Sequence, residues 1–248
     1  MQISDRCYAI TGLGAIAPWV VNSGLIVGGQ HTMVIDTGAN RLGAQTVYGY
    51  ARAVRPKNDL VVVNSEPHFD HIGGNSLFQE LGHEIFGHPN NVRTQEEFEA
   101  EQAEYNKSIP SMVRREKGEA EAFFAGTTLV NPTQAIDAGD VFDLGNTEVE
   151  VMAMPGHTPN NLAFYVHTDQ VLFCGDCLVS GYIPNLEAGT KMDWEAWKVS
   201  LARIRKLELE AVVPGHGNIL FGDEIATALD RINTVLTLAI ASGKAPTV

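Results

Sequence analysis

The residues best suited to chemistry sit in one short run, VVVNSEPHFDHIGGN, which sets Glu66, His68, Asp70 and His71 directly after the apolar stretch Leu60 to Val63. Carboxylate oxygens and imidazole nitrogens are the donors that a divalent cation such as zinc takes at about 2 Å. On an extended segment, residues two apart project to the same side. Glu66, His68 and Asp70 are therefore expected to face one way, with His71 swinging to the other side of the turn. One histidine in a turn is ordinarily polar surface, but four donors within six residues argue for a metal loop.

Three more donors follow at a distance. Met154-Pro155-Gly156-His157-Thr158-Pro159 delivers His157, Phe173-Cys174-Gly175-Asp176 delivers Asp176, and Val213-Pro214-Gly215-His216-Gly217 delivers His216. Each donor lies just past the end of an apolar or β-branched run, where a strand would hold it rigidly.

The elements that must position them are legible as short runs bounded by turn residues. Strands are expected at Leu25 to Val27, Met33 to Ile35, Leu60 to Val63, Val149 to Met152, Leu162 to Val166, Val171 to Phe173 and Ala211 to Val213. Helices are expected at Asn75 to Leu81, from Thr94 onward with Thr94 and Glu97 as a capping box, at Asp193 to Leu207, and at Asp223 to Ile240. Asp193 is the expected N-cap of the third, whose Trp194, Trp197, Leu201 and Ile204 share a face. Strands mixed with helices, without a repeat or linker, indicate one α/β domain over residues 1–248. The stretch Asn90 to Phe124 departs from this pattern, with eight acidic and five basic residues and Pro110 inside a helical pattern. It reads as a helical insert of solvated surface helices; the sharper alternative is a lid or wall over the site.

Taken together, the loop with Glu66, His68, Asp70 and His71, the later Gly-His-Thr at His157, the Asp176 after a strand and the late Gly-His at His216 resemble the metallo-β-lactamase superfamily. Met33-Val34-Ile35-Asp36-Thr37-Gly38 and Ile72-Gly73-Gly74-Asn75 are similar to further family segments, and the resemblance spans about Thr32 to Gly217. It implies a four-layer αβ/βα sandwich with a site for two divalent metal ions, ordinarily zinc, at one edge. The first ion would take Glu66, His68 and His157, the second Asp70, His71 and His216, with Asp176 bridging. Asp36 would brace the metal loop from beneath.

This sequence departs from the family pattern at one ligand, since Glu66 stands where the first histidine of the His-x-His-x-Asp-His motif falls. A third carboxylate makes a two-ion site with a bridging hydroxide formally neutral and shifts preference toward harder ions such as manganese or iron. The chemistry implied is hydrolysis of a lactone or other ester, a thioester, or an amide including a β-lactam, by a water activated between the ions. Asp70 would orient that water. Tyr182, six residues past Asp176, and Trp19, in the glycine-rich N-terminal segment, are candidate substrate contacts. Lactones come first because no export signal is visible, while Ala211 to Gly217 and Cys177-Leu178-Val179 are similar to segments of true β-lactamases.

Other function classes are weaker. An iron persulfide dioxygenase of the same family would need only two histidines and a carboxylate, and a metal-free binding protein would need none of the donors. There is no Gly-x-Ser-x-Gly elbow and no Walker loop. A net charge of -13 opposes binding to nucleic acid or an anionic membrane, which leaves a small molecule as the expected partner. Three cysteines, Cys7, Cys174 and Cys177, suit a reducing compartment, and the cytoplasm is expected. Cys174 and Cys177 are read as packing residues beside the metal strand, and His31, His83, His88 and His167 as surface or structural histidines.

Overall fold

The computed structural model describes residues 1–14, 20–108, 117–184, 186 and 189–246. Strands β1 (Cys7–Gly14), β2 (Val20–Val27), β3 (His31–Ile35), β4 (Asp59–Val63), β5 (Ile85–Gly87) and β6 (Gln134–Ala135) form a sheet in that order. The pairs β1·β2 and β2·β3 are antiparallel, and the rest are parallel. A second sheet holds β7 (Val141–Asp143), β8 (Glu148–Ala153), β9 (Leu162–Val166), β10 (Val171–Phe173), β11 (Ala211–Val213) and β12 (Leu220–Phe221). Only β10·β11 is parallel there.

Parallel neighbours need a crossover, and helices supply it. Helix α1 (Arg41–Val54) joins β3 to β4, while α2 (Phe69–Ile72) and α3 (Asn75–Glu80) lie between β4 and β5. Helices α4 (Gln95–Ser108) and α5 (Lys117–Phe123) precede β6, α6 (Lys191–Ile204) joins β10 to β11, and α7 (Asp223–Ser242) ends the described chain.

Alternation along each strand sends successive side chains into different layers. In β9, Leu162, Phe164 and Val166 meet Ile26, Met33, Ile35 and Val63 of the first sheet. The intervening Ala163 and Tyr165 meet Trp194, Trp197, Leu201 and Ile204 of α6 and Leu229, Ile232 and Leu236 of α7. On the outer face of the first sheet, Leu25, Val34 and Val62 pack on Ala44 and Val47 of α1 and Phe78 of α3. The order is helix, sheet, sheet, helix, as the resemblance implied. Each fully buried Leu, Ile or Phe in these layers contributes roughly 1.5–3 kcal/mol. By length and composition α7 is apolar enough to cross a bilayer, yet its Ile225, Leu229, Ile232 and Leu236 stripe faces the core.

The seven strands and four helices read from the sequence are present, with one boundary corrected. Helix α6 starts at Lys191, and its N-cap is Thr190 rather than Asp193. The Thr190 side chain accepts from the Asp193 N–H, and the Asp193 carboxylate accepts from the Thr190 N–H, so Asp193 closes a capping box from three residues inside. The Thr94–Glu97 box at α4 forms as expected. Most of the described α4 side chains face solvent, but Phe98 is buried against Ala39, Phe69 and Ile72, and Glu101 accepts from the Phe69 N–H at 3.0 Å. The insert is thus seated on the loop that carries His68 and Asp70.

Candidate metal centre

The loops after β4, β8, β10 and β11 leave the two sheets at one common edge, and all seven candidate donors meet there. The sheets are stitched at that edge: the Leu162 N–H donates to Ser65 O at 2.8 Å, and the Asn22 N–H to Gly215 O at 2.8 Å. The buried Asn22 amide also donates to Pro214 O and Gly217 O, each at 2.9 Å, and so grips both sides of His216. A side chain at Gly215 would overlap the Asp176 carboxylate, so only glycine lets these two loops approach.

One expectation fails in detail. Glu66, His68 and Asp70 do not face one way, because the chain bends at Ser65 and Glu66 after β4 and, past the extended His68 (φ −65°, ψ 146°), enters the single helical turn α2. Helical rotation carries Asp70 away from Glu66 and His68. Glu66 groups instead with His68 and His157, and Asp70 with His71 and His216, the donor atoms within each set lying within 4.8 Å of one another. Asp176 lies between the sets, 3.4 Å from His157 Nε2, 3.3 Å from His216 Nε2 and 3.3 Å from His71 Nε2. Glu66 reaches both, with Oε2 3.2 Å from His68 Nδ1 and Oε1 3.1 Å from His71 Nε2.

Both Glu66 carboxylate oxygens, His71 Nε2 and Asp176 Oδ1 are buried without a hydrogen-bond partner among the described residues. Leaving a buried polar atom unpaired costs about 1–3 kcal/mol, more if it is charged. Four such atoms aimed at a common space are what a cation-coordinating cluster requires, so this donor set fits divalent metal ions.

The electrostatics agree. Burial opposes charge on His68 and His216, but Glu66 beside the first and Asp176 with Asp70 beside the second hold them at about 9 and about 10. Burial likewise opposes ionisation of Asp70, which His71 and His216 hold at about 2. Burial dominates at His157 and keeps it below the usual histidine value, a neutral imidazole. For Glu66, burial is outweighed by His68, His157 and His71, which hold it below its ordinary value. The pocket thus concentrates carboxylates and draws positive charge.

Two outward imidazole nitrogens are oriented by acceptors. His71 Nδ1 lies 2.9 Å from Asp36, which also accepts from the Ser65 N–H at 2.8 Å and the Ser65 hydroxyl at 2.7 Å. His216 Nδ1 lies 3.1 Å from Val20 O. Asp36 therefore braces the loop as expected, and it does so with a left-handed backbone (φ 57°).

Tyr182 is half-buried with its ring centroid 6.1 Å from that of His216. Trp19 lies outside the described residues. Cys174 and Cys177 are buried free thiols, and burial pushes both up, which leaves them protonated. His167 faces Glu150 and His83 packs on Phe78, away from the cluster, as His31 and His88 also are. Sequence reasoning passed over Asn22, Ser65 and Glu101, ordinary polar residues whose roles arise from contacts distant in the chain.

A model described as the metallo-beta-lactamase superfamily matches residues 16–216. The chain belongs to the metallo-β-lactamase superfamily. It is similar to the acyl-coenzyme A thioesterase MBLAC2 of Gallus gallus, 28% identical over 241 residues that cover 82% of this chain and 74% of that protein. It is also similar to the hydroxyacylglutathione hydrolase of Idiomarina loihiensis, 37% identical over 96 residues, 39% of this chain and 34% of that one. In fold it is similar to a metallo-beta-lactamase family protein from Thermus thermophilus, with a TM-score of 0.71 and 19% identity over 95% of this chain and 81% of that chain.

Proposed function

We propose that this chain is a hydrolase that holds two divalent cations and cleaves a small carbonyl substrate, with a thioester first among the candidates. Glu66, His68 and His157 would hold one ion, and Asp70, His71 and His216 the other, with Asp176 between them. The observation that carries this is the set of unpartnered buried donors, Glu66 Oε1 and Oε2, His71 Nε2 and Asp176 Oδ1. When bound, a cation pair supplies a water acidified toward neutrality and a Lewis acid for the carbonyl oxygen.

The side chains do the rest. Asp70, a carboxylate at any pH well above about 2, would orient the attacking water by accepting its hydrogen bond. Burial, together with Asp176, Asp70 and Glu66, pushes the Tyr182 phenol up, so its hydroxyl keeps its proton. That hydroxyl would donate to the oxygen on which negative charge develops. Zinc is the ordinary ion for such a site, but Glu66, a carboxylate in place of an imidazole, shifts preference toward the harder manganese or iron.

For the substrate, the relatives support a thioester over the lactone expected from the sequence, because a named acyl-coenzyme A thioesterase aligns over most of this chain. The net charge of -13 supports a small-molecule substrate over a nucleic acid. The test is metal analysis of the purified protein and hydrolysis of acyl-coenzyme A, S-acyl glutathione, lactone and nitrocefin panels before and after chelation. Thioester hydrolysis lost on chelation and restored by zinc, manganese or iron is the expected result. A protein that binds none of the three metals would sink the reading, and oxygen uptake with a persulfide would replace it with an oxidoreductase.

A further inference from the structure

His157 differs from the other two oriented imidazoles. Its Nε2 points inward, 3.4 Å from Asp176 and 3.8 Å from Glu66, while its outward Nδ1 is buried with no hydrogen-bond partner among the described residues. A metal-ligating imidazole ordinarily donates its far N–H to a carboxylate, a carbonyl or water, which fixes its orientation. The ring of Trp197 packs against that of His157 instead, with centroids 5.6 Å apart and planes at 62°.

Trp197 also reaches the neighbouring ligand loop. Its indole Nε1–H donates to Cys177 O at 2.7 Å, in the 3-10 turn Gly175–Cys177 that carries Asp176. Gly156, immediately before His157, lies against the Trp197 side chain so closely that a Cβ there would overlap it. One turn further along α6, the buried Ser200 hydroxyl donates to Pro155 O at 2.7 Å, a second hold on the same loop. One fully buried helix face thus touches the carriers of two donors that lie 19 positions apart in the chain.

We propose that Trp197 is a positioning residue for the first metal site, setting the His157 ring by aromatic contact and the Asp176 turn by its indole N–H. This rests on the reading of these side chains as metal ligands. It assigns the tryptophan a role beyond the core packing that its position on an apolar helix face would suggest. The second set, Asp70, His71 and His216, is braced separately by Asp36 and by Val20 O, so the effect of Trp197 falls first on the half that holds His157 and reaches the other only through Asp176.

Trp194 provides the control, since it lies on the same helix, is also buried, and donates to Leu186 O rather than to a ligand loop. The experiment titrates zinc into metal-free wild type, W197F and W194F, following bound metal and tryptophan emission. W197F should weaken one of two zinc equivalents roughly 10- to 100-fold and the other by less, while W194F keeps both. In W194F, metal addition should still change the emission, because Trp197 adjoins His157; in W197F most of that change should vanish. If W197F and W194F weaken binding equally, or W197F retains both equivalents at wild-type affinity, the role of Trp197 is overturned. A wild type that takes up no zinc, manganese or iron overturns the proposed function, and this inference with it. If W197F does not fold, a variant with Trp197 as its sole tryptophan keeps the idea exposed: bound cobalt that leaves its emission unaltered overturns it.

Discussion

Glu66 Oε1 lies 3.1 Å from His71 Nε2 across the centre, yet neither atom finds a hydrogen-bond partner among the described residues. A carboxylate whose two oxygens face two different imidazoles is placed to influence both halves of the centre. Truncation to Glu66→Ala is expected to lower metal content by about one equivalent and activity by roughly 10- to 100-fold. Glu66→His should shift preference toward zinc over manganese, because an imidazole is the softer donor. Elemental analysis after growth with each metal checks both; unchanged stoichiometry in Glu66→Ala would remove Glu66 from the ligand set.

Asp36 accepts three hydrogen bonds at the base of the ligand loop. Asp36→Ala leaves the Ser65 N–H, the Ser65 hydroxyl and His71 Nδ1 without their acceptor, at a cost of about 2–4 kcal/mol of stability. Weaker binding of the second metal is expected alongside. Urea unfolding and zinc titration measure the two effects separately.

If the Tyr182 hydroxyl donates to the developing oxyanion, Tyr182→Phe should lower kcat about 10- to 100-fold with metal content and KM little changed. Steady-state kinetics on the best thioester decides it, and a fall confined to KM would make Tyr182 a binding contact only.

Far from the centre, Asp169 in the β9–β10 turn accepts from Ser4 and from Arg6, the latter at 2.7 Å, tying the start of the chain to the second sheet. Burial opposes its ionisation, but the bonds from Ser4, Arg6 and Thr168 outweigh that and lower its pKa. The unfolded value is about 3.9, so the stabilisation is fully present above that and is lost as pH falls through the lower folded value. Asp169→Asn should therefore cost about 1 kcal/mol at neutral pH, Arg6 being partly exposed, with the difference from wild type fading in acid. Thermal unfolding of both proteins across pH 2 to 7 tests this; a gap that persists at the acid end would contradict it.

What the sequence alone determined is the inventory. Seven candidate donors past strand ends, the short apolar runs of β2, β3, β4, β8, β9, β10 and β11, and the stripes of α6 and α7 are local patterns, set by side-chain type and, in the helices, by the period of 3.6. Strands β5, β6, β7 and β12 are two or three residues long and lack the unbroken apolar β-branched character of the equally short β10 and β11, and they exist because a neighbour pairs with them. Tertiary structure alone decided the rest. The helical turn α2 split Glu66 from Asp70, where an extended reading had joined them. Asn22 and Glu101 acquired their tasks at His216 and Phe69, and Trp197 its place between His157 and Cys177. Such contacts join residues tens to nearly two hundred positions apart, and a local pattern carries no record of them. They are fixed by which loops the packed sheets bring to one edge, and by the need of buried polar groups there to find partners.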